Sequence, residues 1–256
     1  MSALIASMAP PLIHYKPDAN SSFLSTTLCF QLEIKNKSQI KRNCKQSPMT
    51  SQKLPILTQS LFSGILIAVA GWGFLANSAL GMFLFCVGLV AVVKYRAKLY
   101  TGTAGFITGW KDVLPLLLIL LGNILGTLAV AAVSLYSPLA LPEAATGIIV
   151  ARLGIGWLGT GLLAIGCGLL MSFAVDFARR NRDFSDWLPL LFAVPAFILC
   201  GFPHCIADAF YACVYLLNTP MDTIISVLLP LTFYYLSIVL GNFVGCNLYR
   251  FFQLPK

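Results

Sequence analysis

The gaps between charged residues constrain this chain more than any other feature. Between Lys53 and Lys94 lie 40 consecutive uncharged residues, between Asp112 and Glu143 lie 30, between Arg152 and Asp176 lie 23, and between Asp222 and Arg250 lie 27. A helix needs about 20 apolar residues to cross a bilayer core. The first gap therefore holds two crossings, turning at Ala76-Asn77-Ser78, and each of the others holds one. Asp186 to Asp208 leaves 21 more, interrupted by Gly201-Phe202-Pro203-His204. The expected helices are 55–76, 79–97, 113–137, 153–176, 187–217 with a break, and 223–250. Charged residues make up 10% of the chain, against about 25% in a soluble domain, too few to cover a water-facing surface. A soluble enzyme, a disordered chain and a nucleic-acid reader are excluded on this ground. The sequence reads as an all-α integral membrane protein of six transmembrane helices.

Six crossings put both termini on one side, and the basic residues indicate which. Lysine and arginine accumulate in cytoplasmic loops. Residues 1–53, the 94–111 connection, the 179–182 connection and the C-terminus carry all of the 17 basic residues except Arg152. Both termini are thus expected inside, and the net charge of +8 is a topology signal that requires no nucleic-acid partner.

Residues 1–50 are a different kind of chain, a polar basic extension rich in Ser and Thr and broken by Pro10-Pro11. The stretch from Ala3 to Ile13 lacks a basic lead-in, which disfavours a secretory signal. The composition suits an organelle transit peptide, implying a plastid or mitochondrial membrane. A start at Met49, or a disordered tail on a protein of the plasma or inner membrane, fits equally. Residues 51–256 are expected to form the membrane domain. The 8 cysteines show no C-x-x-C pairing. Cys200, His204 and Cys205 lie close together, but a metal would want a further ligand at suitable spacing, so neither metal nor cofactor is expected.

The informative places are those where the spans misbehave. Glycine and proline at 201–204 interrupt the fifth span, and Leu99-Tyr100-Thr101-Gly102 forms a glycine-rich interruption after the second. Non-helical backbone at membrane depth persists only where protein or a water-filled cavity satisfies it. Gly-Asn-x-x-Gly occurs twice, as Gly122-Asn123-Ile124-Leu125-Gly126 and Gly241-Asn242-Phe243-Val244-Gly245. Glycines four apart let helices approach closely, and each asparagine needs an interhelical partner. One copy falls in the third span and one in the sixth, so the chain divides into two halves of three spans. Three is odd, so the halves must be inverted relative to each other, as in many transporters.

These residues resemble the formate/nitrite transporter family of small-anion channels and transporters. The resemblance rests on Phe85-x-x-x-Leu89 followed by Leu99-Tyr100-Thr101-Gly102, on the Gly-Asn-x-x-Gly pair, and on Phe197-x-x-x-Gly201-Phe202-Pro203-His204-Cys205-Ile206-Ala207. It covers roughly residues 55–252. It implies an aquaporin-like protomer with its own pore, assembled as a homopentamer in membrane lipid and passing formate, nitrite, hydrosulfide or short carboxylates. By motif, His204 corresponds to a central pore histidine and Thr101 to its neighbour on the facing loop, with Phe202 in the same Gly-Phe-x-His loop. Leu89, Leu99 and Tyr100 resemble an inner constriction, and Phe85 and Phe197 resemble gates. Arg152 falls where relatives often carry a vestibule lysine. The chain departs from the family at Lys98, at Gly168 where an Asn is usual, at Pro203, and at Asp208 where Asn is usual.

An intramembrane ionisable group is a functional candidate by default, although a histidine in an apolar run can equally be a packing residue. A neutral His204 can donate a hydrogen bond to an anion or exchange a proton with it. Arg152 either concentrates anions at the outer mouth by long-range attraction or anchors a helix end. Asp208 lies one turn beyond His204. An ionised carboxylate about 6 Å from a passing anion repels it by roughly 3 kcal/mol at an effective dielectric near 20, slowing it by about two orders of magnitude. Anion passage therefore requires Asp208 to be paired, protonated or turned from the pore. The expected function is passive or proton-coupled transport of small monovalent anions past His204. The alternatives are a pore for a neutral or weakly acidic solute such as hydrogen sulfide, and a non-conducting paralogue.

Overall fold

The computed structural model describes residues 55–180 and 183–251; the extension expected at 1–50 lies outside these residues. The described chain runs α1 (Ile56–Ala76), α2 (Ser78–Lys94), α3 (Thr101–Ala104), α4 (Val113–Ser134), α5 (Leu141–Arg180), α6 (Leu188–Leu199), α7 (Cys205–Leu217) and α8 (Met221–Phe251), with 3-10 turns at Trp110–Asp112 and Phe184–Trp187. Among the described residues, four stretches are long and apolar enough to cross a membrane: Ile56–Ala76, Trp110–Ser134, Leu141–Arg180 and Met221–Leu248. At about 1.5 Å per residue, the 17 residues of α2, the 12 of α6 and the 13 of α7 each fall short of a hydrocarbon core about 30 Å thick.

Helix α1 packs along α4 and α5 along α8, while α2 lies on α6, and α7 is enclosed by α1, α4, α5 and α8. The two helix pairs close on glycines. A Cβ added at Gly126 would meet the Leu61 carbonyl oxygen at 2.3 Å, and one at Gly245 would meet that of Ile165 at 2.0 Å. Reciprocally, a Cβ at Gly64 would lie 2.1 Å from the Asn123 carbonyl oxygen, and one at Gly168 would lie 2.2 Å from that of Asn242. Gly168 is therefore a contact glycine, matched to Gly64 in the other pair.

The two interruptions end in the same way. At the end of α6, Gly201 adopts φ 67°, the Phe202 N–H donates to the Phe197 carbonyl at 2.9 Å, and the Gly201 N–H donates to Ile198 at 3.0 Å. That is a Schellman motif. At the end of α2 the same bonds run from Ala97 to Val92 and from Arg96 to Val93, but the left-handed position, φ 53°, is held by Arg96. Pro195 inside α6 cannot donate to Leu191; the Cys86 thiol, on α2, donates to that carbonyl instead at 3.4 Å.

The fourth span was expected over 153–176. Helical residues extend from Leu141 to Arg180, but Gly156, φ 81° and ψ 161°, is not helical, so the stretch is two helices that meet at a kink. The second, 157–180, lies over most of the expected span. The first, 141–155, was not expected; it holds Glu143 in its first turn, where an acidic residue suits the helix dipole, and Arg152 in its last turn, just before the kink.

Candidate functional site

Each break is held by one asparagine from the repeated motif. Asn123 accepts a hydrogen bond from the Tyr100 N–H at 2.9 Å and donates to the carbonyls of Lys98 at 2.9 Å and Ser60 at 2.7 Å. Asn242 accepts from the Cys205 N–H at 2.8 Å and donates to Pro203 at 3.0 Å and Ala164 at 2.8 Å. Both side chains thus satisfy a donor and an acceptor two residues apart in a broken segment, and then reach a facing helix. These are the interhelical partners that an asparagine in a span requires.

So held, the breaks bring Thr101 and His204 together. Thr101 Oγ1 lies 3.0 Å from His204 Nε2, and both residues are buried. His204 caps α7, its Nδ1 accepting the Ala207 N–H at 3.3 Å. That leaves Nε2 to carry the proton of a neutral ring and donate it to Thr101, so the threonine hydroxyl hydrogen is free to turn to another acceptor.

Aromatic rings cover one side of this pair. Phe197 stacks on the His204 ring with centroids 5.8 Å apart, and Phe85 meets Phe197 edge-on at 6.3 Å. Phe202, half-buried, lies over Gly166, where an added Cβ would come within 2.5 Å of its ring. Leu89 and Leu99 are buried and line a cavity of about 390 Å³ whose wall also carries Arg96, Lys98 and Arg179. Tyr100 is buried, and its hydroxyl donates to the Val239 carbonyl at 3.3 Å.

Asp208 sits directly behind His204. Its Oδ2 accepts the His204 N–H at 2.9 Å, and its Oδ1 accepts the Tyr234 hydroxyl at 2.5 Å. Arg152 Nε lies 3.5 Å from the same Oδ1, and the Arg152 guanidinium also donates to the Gly201 carbonyl. Of the three arrangements that anion passage allows Asp208, pairing is the one found. The structure thus gathers His204, Thr101, Phe85, Phe197, Arg152 and Asp208 into one connected cluster. Leu89 and Leu99 lie at the basic cavity.

Two participants escaped the sequence. Tyr234 stands in an apolar run beside Phe233 and Tyr235, with no local signal that its hydroxyl meets a carboxylate. Arg179 reads as a topology charge, yet it donates to the Gly102 carbonyl at 2.6 Å and lies over the Phe106 ring, tying the first break to the end of α5.

A chain whose described residues form helices and no strand, four of those helices long enough to span a bilayer, and whose two broken elements meet at buried polar side chains, is an integral membrane protein built for transport. The family model described as formate/nitrite transporter matches residues 39–251, and the chain belongs to that family. Its fold is similar to a solved structure described as a pentameric formate channel with formate bound, with a TM-score of 0.64 and 21% identity over 77% of this chain and 94% of that one. It is also similar to one described as an FNT family ion channel, with a TM-score of 0.68 and 19% identity over 86% of this chain and 96% of that one. No curated protein matches the chain. The family is one of transporters and these neighbours are channels, not enzymes.

Proposed function

We propose that residues 51–256 form a six-span, aquaporin-like protomer of two inverted three-helix halves, which conducts small monovalent anions such as nitrite or formate past His204. The observation that carries this reading is the buried Thr101–His204 contact at 3.0 Å, made between two broken segments that matched asparagines hold. The Schellman ends and glycine contacts repeat from one half to the other, which supports the division into halves. With α2 continued by α3, and α6 by α7, the two broken elements complete the six spans. The similarity to a pentameric formate channel supports a homopentamer with one pore per protomer. Both termini face the cytoplasmic side in this arrangement, as the basic loops require.

At the constriction, the Thr101 hydroxyl hydrogen, freed because Thr101 accepts from His204 Nε2–H, can donate to an anion's oxygen, replacing part of its hydration. Phe85, Phe197, Leu89 and Leu99 offer only apolar surface on the approaches, which hinders a naked ion and favours its neutral acid. Proton exchange with His204 would then let the solute cross as the acid and leave as the anion. The neutral-solute reading drew on the charge of Asp208. The pairing of that carboxylate with Arg152 favours the anion reading instead.

The test is uptake of labelled formate and nitrite into proteoliposomes, with and without an inward proton gradient, for the natural chain and for His204→Phe. Uptake that rises with the gradient and is lost in the variant is expected. A folded natural chain that takes up neither anion would sink the assignment.

A further inference from the structure

Among the described residues, Asp208 is the one fully buried carboxylate, at 1% exposure, and it occupies the position beside His204 where an isolated negative charge would do most harm to an anion pathway. Capping does not by itself require a carboxylate, because an amide oxygen can also accept the His204 N–H. What distinguishes Asp208 is its partner. Arg152 reaches it from α5, four residues before the Gly156 bend. The same guanidinium donates to the carbonyl of Gly201, the left-handed residue that ends α6. Tyr234 adds a third partner from α8. The loop that carries His204 is thereby tied to three elements by a pair whose charges cancel.

We propose that Arg152 and Asp208 form a matched pair that keeps the His204 constriction electrically neutral, with Arg152 acting as a positioning and specificity-determining residue through Asp208. The inference rests on the anion-transport reading of the same site. Its core is a statement about sign. Removing the arginine exposes a negative charge about one helical turn from His204. Removing the aspartate instead leaves a positive charge behind the constriction. The two losses therefore push anion affinity in opposite directions, whereas two residues that merely brace a loop would fail in the same direction. Removing both charges restores neutrality. Paired buried charges can often be replaced together without loss of stability, while breaking one side alone is costly.

Formate uptake into proteoliposomes, resolved into KM and maximal rate, separates these cases for the natural chain, Arg152→Gln, Asp208→Asn and the double variant. Arg152→Gln is expected to lower uptake at low formate by about 100-fold, the factor for a unit charge roughly 6 Å away at an effective dielectric near 20. Asp208→Asn should lower KM by about tenfold, less than the converse because the arginine is partly solvated and screened. The double variant should return to within about threefold of the natural chain, as coupled neighbours do when both are removed. Size-exclusion profiles establish folding. If Arg152→Gln does not fold, the other two variants decide, and an Asp208→Asn protein with unchanged or raised KM overturns the proposal. Equal impairment of both single variants, with the double no better than either, overturns it too while leaving the transport reading intact. A natural chain without formate uptake removes the transport reading and the proposal together.

Discussion

Replacing Asn242 with leucine asks whether one side chain holds the second break. Leucine keeps the branched outline of asparagine and removes every donor and acceptor. Of the three hydrogen bonds lost, the one to Ala164 matters least, because that carbonyl already belongs to the ladder of α5. The Cys205 N–H is an orphan of the first turn of α7, and the Pro203 carbonyl lies between helices, so both are left buried without a partner. Each costs about 1–3 kcal/mol, giving a loss of about 2–6 kcal/mol against a net stability of typically 5–15 kcal/mol. Asn123→Leu strands the Tyr100 N–H and the Lys98 carbonyl in the same way. The two variants should therefore lose the same amount to within about 1 kcal/mol. Unfolding free energies from detergent titration in mixed micelles, followed by tryptophan fluorescence, measure this. A loss below about 1 kcal/mol in either variant would refute the assignment of that break to its asparagine.

Three further outcomes are expected. Arg96→Gly should raise stability by up to about 1 kcal/mol, because an L side chain in the left-handed region costs roughly that much and φ at Arg96 is 53°; no gain in the same titration would count against strain there. Lys98→Gln should slow anion uptake a few-fold at low ionic strength, since Lys98 lines the basic cavity, and the difference should vanish near 1 M salt, where the Debye length is about 3 Å. A deficit that persists at high salt would mean that charge is not the cause. Thr101→Val removes the oxygen that faces His204 Nε2, and should lower formate uptake by about tenfold, the equivalent of one buried hydrogen bond. Thr101→Ser should retain most of it, and loss in the serine variant with retention in the valine variant would shift the role from the hydroxyl to the methyl packing.

Much of the fold was legible because a bilayer imposes a rule that composition can express. The four helices long enough to span could be read from uninterrupted apolar runs, and the breaks at 99–102 and 201–204 from glycine and proline placed where helices should continue. The repeated Gly-Asn-x-x-Gly pointed to close helix contacts, and Asn123 and Asn242 do find partners across helices. The helix over 141–155 was not legible, because Glu143 and Arg152 read as the charged edges of a loop, whereas Arg152 meets its counter-charge on Asp208 inside the protein. The left-handed Arg96 left no trace, because that conformation is ordinarily read from a glycine and here it falls on an arginine.

The sequence by itself determined that this chain belongs in a bilayer, where its apolar helices lie, where they break and which residue types crowd at the breaks. Each of these follows from hydrophobicity and backbone preference, which act on neighbours along the chain. Only the tertiary structure decided that Asn123 and Asn242 clamp the two breaks with the same set of bonds, that Thr101 meets His204, and that Asp208 is shared by Arg152, Tyr234 and the His204 backbone. Those contacts join residues far apart in sequence, and a side chain's hydrogen-bond partner is fixed by helix packing in space rather than by any local pattern.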